Sequence, residues 1–297
     1  MTPFFIALQF LTRLKIVNQT EWSVDDFGKS VVAFPYVGLI IGLILALLYG
    51  ILSPFIPLVP LMLIIVIAEF LITGGLHADG LMDTSDGLFS GRERERKLEI
   101  MKDSRIGSFG VVAFVFVTLL KWQLLTAIPT SEFIPMALIM MPLMSRWSLV
   151  LSIRSYPYAR KEGMGAAFAN LAPKHVITYN TISTFFMPIV ILLIGVILYT
   201  LLYGVYSIFS IADVGYVVGL GVLVYATLGI FQINIVSMII TYIINRILNH
   251  YIVKQLGGTT GDTYGFVVEV TEVLLLLIYI IILSVLSASV ASNTTMF

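Results

Sequence analysis

Residues 30–68 decide the fold class of this chain: SVVAFPYVGLIIGLILALLYGILSPFIPLVPLMLIIVIA, a stretch without any Asp, Glu, Lys or Arg. Serine and prolines at positions 53–60 interrupt it midway. A helix needs about 20 apolar residues to cross the hydrocarbon core of a bilayer. The stretch therefore predicts a hairpin of two transmembrane helices, near 31–52 and 56–75.

The composition of the whole chain is that of a membrane protein. Of the 297 residues, 59% are hydrophobic and 11% are charged, whereas soluble domains carry about 25% charged residues. This shortage of polar side chains excludes a typical soluble enzyme. The absence of cysteine excludes a disulfide-stapled secreted domain and a cysteine-ligated zinc site. The net charge is zero, so we expect no nucleic-acid partner.

Further apolar stretches continue the pattern along the chain. They predict spans near residues 109–129, 133–153, 182–206, 214–244 and 270–291. As a helix the stretch 214–244 would reach about 47 Å, well beyond a hydrocarbon core of about 30 Å. It is therefore either one long tilted helix or two pieces broken near Gln232 and Asn234.

The basic residues indicate the orientation, because Lys and Arg in short loops mark the cytoplasmic side of a membrane protein. With a single crossing for 214–244 the chain has seven spans, and all Lys and Arg residues except Lys121 and Arg146 fall on one face. Two crossings would move Lys254 to the other face. We predict an all-α polytopic integral membrane protein of about seven transmembrane helices with a cytoplasmic N-terminus, and a single domain over residues 1–297.

The segment between the second and third spans carries the strongest chemical signal. Residues 74–88 read GGLHADGLMDTSDGL, and Asp79, Asp83 and Asp86 have the spacing i, i+4, i+7. On a helix this places three carboxylates on one side, where they repel each other unless a cation lies among them. Carboxylates and water are what Mg²⁺ prefers, and Mg²⁺ commonly bridges substrate phosphates. The acidic motif therefore predicts an Mg²⁺ site; the alternatives are a solvated acidic helix end or carboxylates paired with the basic run 92–97.

Two more motifs lie on the same predicted face. In residues 101–110, MKDSRIGSFG, the basic residues Lys102 and Arg105 come just before a span. Basic side chains at the N-terminus of a helix favour the binding of a phosphate group. The alternative is that they only anchor the span. Residues 256–265, LGGTTGDTYG, form a glycine-rich motif. Asp262 of this motif, with Glu269 and Glu272 further along the chain, could supply a second carboxylate set. Its alternative interpretation is a flexible re-entry loop with interfacial carboxylates.

Charged residues also fall inside predicted spans, among them Glu69, Lys121 and Arg146. Charges within a membrane are costly and are functional candidates by default. They either pair with one another or bind the anionic part of a substrate. His77, in the acidic motif, is a metal ligand, a general base or a hydrogen-bonded interfacial histidine. Acidic residues that can bind Mg²⁺ and basic residues that can bind phosphate lie on one predicted face. Together they suggest phosphoryl-type transfer at a membrane surface.

The order and spacing of these motifs resemble the cobalamin synthase family, the adenosylcobinamide-GDP ribazoletransferases of the vitamin B12 pathway. The resemblance runs almost from end to end, over residues 10–14, 34–38, 77–87, 102–107 and 258–262. At 15–17 the chain departs from the family, which often has a proline there, and this puts in doubt only the local shape of the N-terminal segment.

The resemblance implies a Mg²⁺-dependent integral membrane enzyme of the bacterial or archaeal cytoplasmic (inner) membrane. The ribose 3′-hydroxyl of α-ribazole, or of its 5′-phosphate, would attack adenosylcobinamide-GDP and release GMP. The metal ligands would be Asp79, Asp83, Asp86 and Asp262. The catalytic residues would be Asp79, Asp83, Asp86 and His77, with a carboxylate or His77 taking the hydroxyl proton. The substrate- and phosphate-binding residues would be Lys102, Arg105, Arg13, Arg146, Gly261 and Thr260.

Other classes of membrane protein share parts of this pattern. A CDP-alcohol phosphotransferase would have Asp-Gly-x-x-Ala-Arg, whereas Asp86 and Gly87 are followed by Leu-Phe-Ser-Gly. A prenyltransferase would carry a second Asp-x-x-x-Asp set, whereas Asp262 stands alone. A transporter would show inverted repeats, and the sequence has none. The sequence does not fix the oligomeric state, and a homo-oligomer is compatible with it.

Overall fold

The computed structural model of the chain describes residues 3–17, 23–160, 162–209 and 214–294. Within these ranges the chain is helical, with short 3₁₀ turns at Val31–Ala33 and Ser131–Phe133. The helices are α1 (Pro3–Leu11), α2 (Val24–Ser30), α3 (Phe34–Leu52), α4 (Leu58–Thr73), α5 (Leu76–Leu88), α6 (Arg94–Ile100), α7 (Ser108–Thr126), α8 (Ile134–Ser155), α9 (Met164–Leu171), α10 (Val176–Phe209), α11 (Val214–Leu256) and α12 (Gly261–Thr294).

Six of the helices in the described ranges are long and apolar enough to cross a bilayer: α3, α7, α8, α10, α11 and α12. A seventh crossing results if α4 and α5 count as one broken span, with a bend of 91° between them. The outer side chains are large and apolar, as Phe109, Val112 and Phe116 of α7 illustrate. The predicted all-α membrane protein with about seven spans is therefore confirmed, whereas the cytoplasmic side stays a prediction.

Two of the predicted spans have different limits in the structure. Helix α11 runs without a break over 43 residues, which resolves the two interpretations of 214–244 in favour of one long helix. No proline lies within α11 to interrupt its hydrogen bonds. Helix α12 begins at Gly261, well before the predicted start at 270. The hydropathy pattern starts the span only after the last charged residues, whereas α12 itself starts earlier, at its N-terminal cap.

Helix α8 forms the centre of the structure and is buried along most of its length. It packs against α3 at Gly38 and Gly42, where an added Cβ would meet the α8 backbone at Pro142 and Ile139. Small residues at such a spacing let two membrane helices approach closely. The α3–α8 pair therefore forms a rigid base for the elements that surround it.

The bend between α4 and α5 is made by two glycines. Gly74 and Gly75 have φ values of 64° and 73°, in the left-handed region that glycine adopts without a steric penalty. After the bend, α5 packs against α12 and α7, and its contacts involve the N-terminal ends of both helices. The acidic motif therefore lies on a separate short helix, at the ends of two spans.

Helix α6 docks on the C-terminal end of α11. The Nε of Arg94 donates to the carbonyl of Leu256 at 2.7 Å, and the Nζ of Lys97 donates to Oε1 of Gln255 at 2.5 Å. A cation suits the C-terminal end of a helix, where carbonyls lack partners. Among the described residues, no ion pair joins this basic run to the aspartates of α5.

Candidate active site

The three aspartates of the acidic motif all lie on α5, but in different environments. Asp79 is exposed, Asp83 is half-buried and Asp86 is buried. The predicted helical spacing is therefore present, while the three carboxylates do not share one open face.

Asp86 is held by the start of α7. Its Oδ2 accepts the backbone N–H of Gly107 at 2.7 Å, and its Oδ1 accepts that of Gly110 at 2.8 Å. The first N–H groups of a helix lack partners within the helix and favour a negative charge, and no N-cap side chain serves α7. A Cβ on either glycine would collide with the carboxylate. Each oxygen of Asp86 therefore accepts one N–H at the start of α7, so Asp86 caps that helix, and its role as a metal ligand stays a prediction.

The glycine-rich motif starts α12 and brings Asp262 to α5. The N–H of Thr260 donates to Oγ1 of Thr263 at 2.8 Å, and the N–H of Thr263 donates to Oγ1 of Thr260 at 3.2 Å. This reciprocal pair is a helix cap, so the hydroxyl of Thr260 serves the fold. The two helices cross where Gly80 and Gly265 meet, because a Cβ on either would touch the backbone of the other helix. The crossing places Asp262 beside the aspartates of α5.

A loop that the sequence motifs do not include also reaches this place. Between α8 and α9, Tyr158 forms an isolated parallel bridge with Thr259 of the glycine-rich motif. Two residues further on, Nη2 of Arg160 lies 3.0 Å from Oδ2 of Asp262. The local sequence gives no sign of this contact, because the two segments are about a hundred residues apart.

The carboxylates around Asp83 fit a divalent cation in their chemistry. Asp79, Asp262 and Asp86 all repel the charge of Asp83, and Arg160 attracts it. In the described part of the chain, no three His, Cys, Asp or Glu side chains converge closely enough to hold a metal ion by themselves. Mg²⁺, however, usually takes one or two carboxylates, several waters and substrate phosphates. The donor set therefore fits a Mg²⁺ whose coordination the substrate completes, and not a preformed protein cage.

A cavity of about 210 Å³ opens between the two acidic helices and the N-terminal part of the chain. Its polar side is lined by His77, Asp79, Gly80, Gly261 and Asp262, and its apolar side by the aromatic rings of Phe10, Phe34 and Phe168. The three rings also pack on one another. Ligand pockets usually measure about 300–1,000 Å³, so the cavity has room for part of a larger ligand.

His77 is buried and faces Arg146. Nη2 of Arg146 lies 3.3 Å from Nδ1 of His77, and Nε2 of His77 has no hydrogen-bond partner. Because a guanidinium can only donate, Nδ1 is the acceptor of this pair. The proton of the neutral ring then lies on Nε2, so His77 can donate a hydrogen bond from Nε2 but cannot take up a proton there.

The charged residues predicted inside the spans form one buried cluster. Nζ of Lys121 lies 3.2 Å from Glu69, 2.9 Å from Glu269 and 2.5 Å from Glu272. Arg146 pairs with Glu272 and lies 3.8 Å from Glu69. The structure thus supports mutual pairing, and it places Glu269 and Glu272 in this cluster instead of in a carboxylate set with Asp262. Arg146 is 1% exposed and its Nε has no hydrogen-bond partner, so the binding of an anionic substrate group by Arg146 stays a prediction.

The other predicted phosphate-binding residues lie on the surface. Lys102 is exposed, and Arg105 is exposed and paired with Asp103 at 2.7 Å. Hydrogen bonds from Arg105 lower the pKa of Asp103 to about 2. Arg13 is exposed and packs over the turn at Gly74. These three side chains can therefore meet a ligand only from the solvent side.

Comparison with known proteins shows the family of the chain. The family profile of cobalamin-5-phosphate synthase matches residues 3–280. Proteins named adenosylcobinamide-GDP ribazoletransferase are similar to the chain: that of Desulfitobacterium hafniense is 35% identical over 93% of this chain and 96% of its own length. The protein of Fusobacterium nucleatum is 35% identical over 95% of this chain and 98% of its own length. The protein of Acetivibrio thermocellus is 34% identical over 92% of this chain and 95% of its own length. No solved structure matches the chain. The chain belongs to the cobalamin-5-phosphate synthase family of membrane-embedded transferases.

Proposed function

We propose that the protein joins adenosylcobinamide-GDP to α-ribazole, or to α-ribazole 5′-phosphate, in a Mg²⁺-dependent transfer. The ribose 3′-hydroxyl attacks the phosphorus next to cobinamide, the bond from that phosphorus to the bridging diphosphate oxygen breaks, and GMP leaves. The observation that carries the proposal is that Asp79 of α5 and Asp262 of α12 line one cavity, with Asp83 near enough for their charges to act on it.

The carboxylates that would hold Mg²⁺ are those of Asp79, Asp83 and Asp262. Mg²⁺ bound there would neutralise the diphosphate and stabilise the charge that develops on the leaving group. Asp86 holds the start of α7, so we assign it to positioning rather than to coordination. A carboxylate of this group is the better acceptor for the hydroxyl proton. His77 would instead donate from Nε2 to a phosphate oxygen, because its Nδ1 accepts from Arg146.

The surface cations complete the site from the solvent side. Lys102 and Arg105 lie just before α7, whose start Asp86 fixes beside α5. Their positive charges would attract the nucleotide half of adenosylcobinamide-GDP and the departing GMP. Arg13 and Gly261 would contact the substrate at the edge of the cavity.

The lipid bilayer is the permanent partner of the chain, and we place the protein in the cytoplasmic membrane of a bacterium or an archaeon. Positive charges on one face favour a cytoplasmic active site. The substrates would then come from the cytoplasm, where nucleotide-activated intermediates are made.

Purified protein in detergent tests the proposal. It is incubated with adenosylcobinamide-GDP, Mg²⁺ and either α-ribazole or α-ribazole 5′-phosphate, and GMP and the cobalamin product are measured by liquid chromatography. We expect equimolar GMP and product, both abolished by EDTA and restored by Mg²⁺. Absence of both products with either acceptor would refute the proposal, and movement of a corrinoid across vesicles without chemistry would indicate a transporter.

A further inference from the structure

Arg160 is the cation that lies among the acidic side chains, although it belongs to none of the sequence motifs. Its loop is docked on the glycine-rich motif by two backbone hydrogen bonds, from Ala159 N–H to the Thr259 carbonyl and from Thr259 N–H to the Pro157 carbonyl, both 2.8 Å long. These bonds join backbone atoms, and the ring of Tyr158 adds a contact with Tyr264. Neither involves the side chain of Arg160. The ion pair with Asp262 is therefore not needed to dock the loop.

The guanidinium of Arg160 is only partly used in this position. Its side chain is 16% exposed, and its one ion pair among the described residues is that with Asp262. The Nε atom is buried and has no hydrogen-bond partner. A guanidinium offers five N–H donors in a planar fork that matches the oxygens of a phosphate. Arg160 thus has unused donors beside the carboxylates that would carry the metal ion.

We propose that Arg160 is a substrate-binding residue that exchanges partners: it neutralises Asp262 in the metal-free protein and binds the diphosphate of the substrate when a divalent cation takes its place. The inference rests on the proposed function. A divalent cation beside Asp262 repels the guanidinium, while a diphosphate attracts it and can accept two parallel hydrogen bonds. The same side chain would thus compete with the metal ion and cooperate with the substrate.

The proposal predicts opposite effects on two ligands when the charge is removed. In the full-length Arg160→Gln variant in detergent, Mn²⁺ alone, titrated by electron paramagnetic resonance, should bind about tenfold more tightly, since a nearby positive charge is gone. GDP, titrated by calorimetry at saturating Mg²⁺, should bind about 10- to 100-fold more weakly, since charge-assisted hydrogen bonds are lost. If Arg160 only supported the fold, its substitution would weaken the binding of both Mn²⁺ and GDP.

Two further variants make the result specific. Arg160→Lys keeps the positive charge but loses the planar pair of N–H donors. Mn²⁺ should therefore bind as in the parent, and GDP should bind more weakly. Arg96→Gln removes an exposed arginine that pairs with Glu99 on α6, and it should change neither affinity. The thermal melting temperature of each variant shows whether it is folded, and if Arg160→Gln is not, the Arg160→Lys pattern decides.

Any other pattern overturns the inference: Mn²⁺ binding unchanged or weaker in Arg160→Gln, GDP binding unchanged in it, or unaltered GDP binding in Arg160→Lys. These titrations need no turnover. A parent protein that releases no GMP would refute the proposed function and leave both affinities measurable. A parent that is active, with an Arg160→Gln variant of unaltered affinities, would refute the role of Arg160 alone.

Discussion

Each aspartate of the acidic motif lies in a different environment, which the sequence pattern alone could not reveal. The spacing of Asp79, Asp83 and Asp86 correctly predicts one helix, because it depends only on local geometry. The partners of Asp86 are backbone groups of Gly107 and Gly110 in another motif. A distant backbone partner leaves no trace in local spacing, so the spacing by itself does not distinguish the three carboxylates.

Substitution separates the two roles. We expect Asp86→Ala to lower the free energy of unfolding by about 1–2 kcal/mol, since the cap of α7 is lost. Asp83→Asn should keep the melting temperature of the parent and reduce Mg²⁺-dependent GMP release by about 100-fold or more. Thermal melting in detergent and the GMP assay measure the two effects. Equal loss of melting temperature in both variants would contradict this division.

The buried cluster makes a second prediction at the residue scale. Lys121→Met leaves Glu69, Glu269 and Glu272 facing Arg146 alone, and we expect it to destabilise the protein by about 3–5 kcal/mol. The double variant Lys121→Met with Glu69→Gln should recover part of this loss, because it removes one charge of each sign. Thermal melting measures both.

The control is Lys29→Met, which removes a lysine from an exposed pair with Asp25. Exposed pairs contribute little to stability, so its melting temperature should equal that of the parent. A Lys121→Met variant that is as stable as this control would show that the cluster is not fully ionised in the membrane.

At the scale of elements, the crossing of α5 and α12 brings the two acidic groups together. Gly80 and Gly265 allow the crossing, and a methyl group on either would push the helices apart. We expect Gly80→Ala to lower turnover by about 10²-fold, because a displacement of about 1 Å in a catalytic group can have this effect. Mn²⁺ affinity should fall with it, although no carboxylate is changed.

Gly50→Ala is the matched control for this prediction. Gly50 lies in α3, and an added Cβ there meets nothing within 4 Å. The variant should keep the Mn²⁺ affinity and the rate of GMP release of the parent. If Gly80→Ala behaved like this control, the close crossing would not determine the geometry of the site.

The sequence predicts the elements better than the contacts between them. Uncharged stretches place the spans because crossing a bilayer is a requirement on each segment by itself. The start of α12 is missed because its cap, Thr260 with Thr263, is a local hydrogen-bond arrangement that hydropathy does not sense. The loop that carries Arg160 is missed because its bridge joins segments far apart in the chain.

At the scale of the whole molecule, the one-sided distribution of basic residues predicts the orientation, and the absence of cysteine makes it measurable. Ser104 lies in the loop before α7 and Ser131 in the turn before α8, and both are exposed. In intact cells a membrane-impermeant maleimide should label Ser131→Cys and not Ser104→Cys. In inside-out vesicles the labelling should reverse. Labelling of Ser104→Cys from outside would contradict a cytoplasmic active site.

The buried charge cluster also constrains the order in which the chain can be made. Synthesis delivers Glu69 first, then Lys121 and Arg146, and only the last helix, α12, brings Glu269 and Glu272. Until then one carboxylate faces two cations, and each unpaired charge costs about 2.5–3.5 kcal/mol in the bilayer centre. The buried charges of the nascent protein therefore stay incompletely paired until its last helix leaves the ribosome.

A chain that ends at residue 256 should accordingly be degraded faster than the full-length protein in a pulse-chase experiment. Replacing Lys121 by Met in the truncated chain should lengthen its lifetime, since one carboxylate then faces one cation. The same substitution in the full-length chain should shorten it. An unaltered lifetime of the truncated variant would show that quality control does not sense these charges.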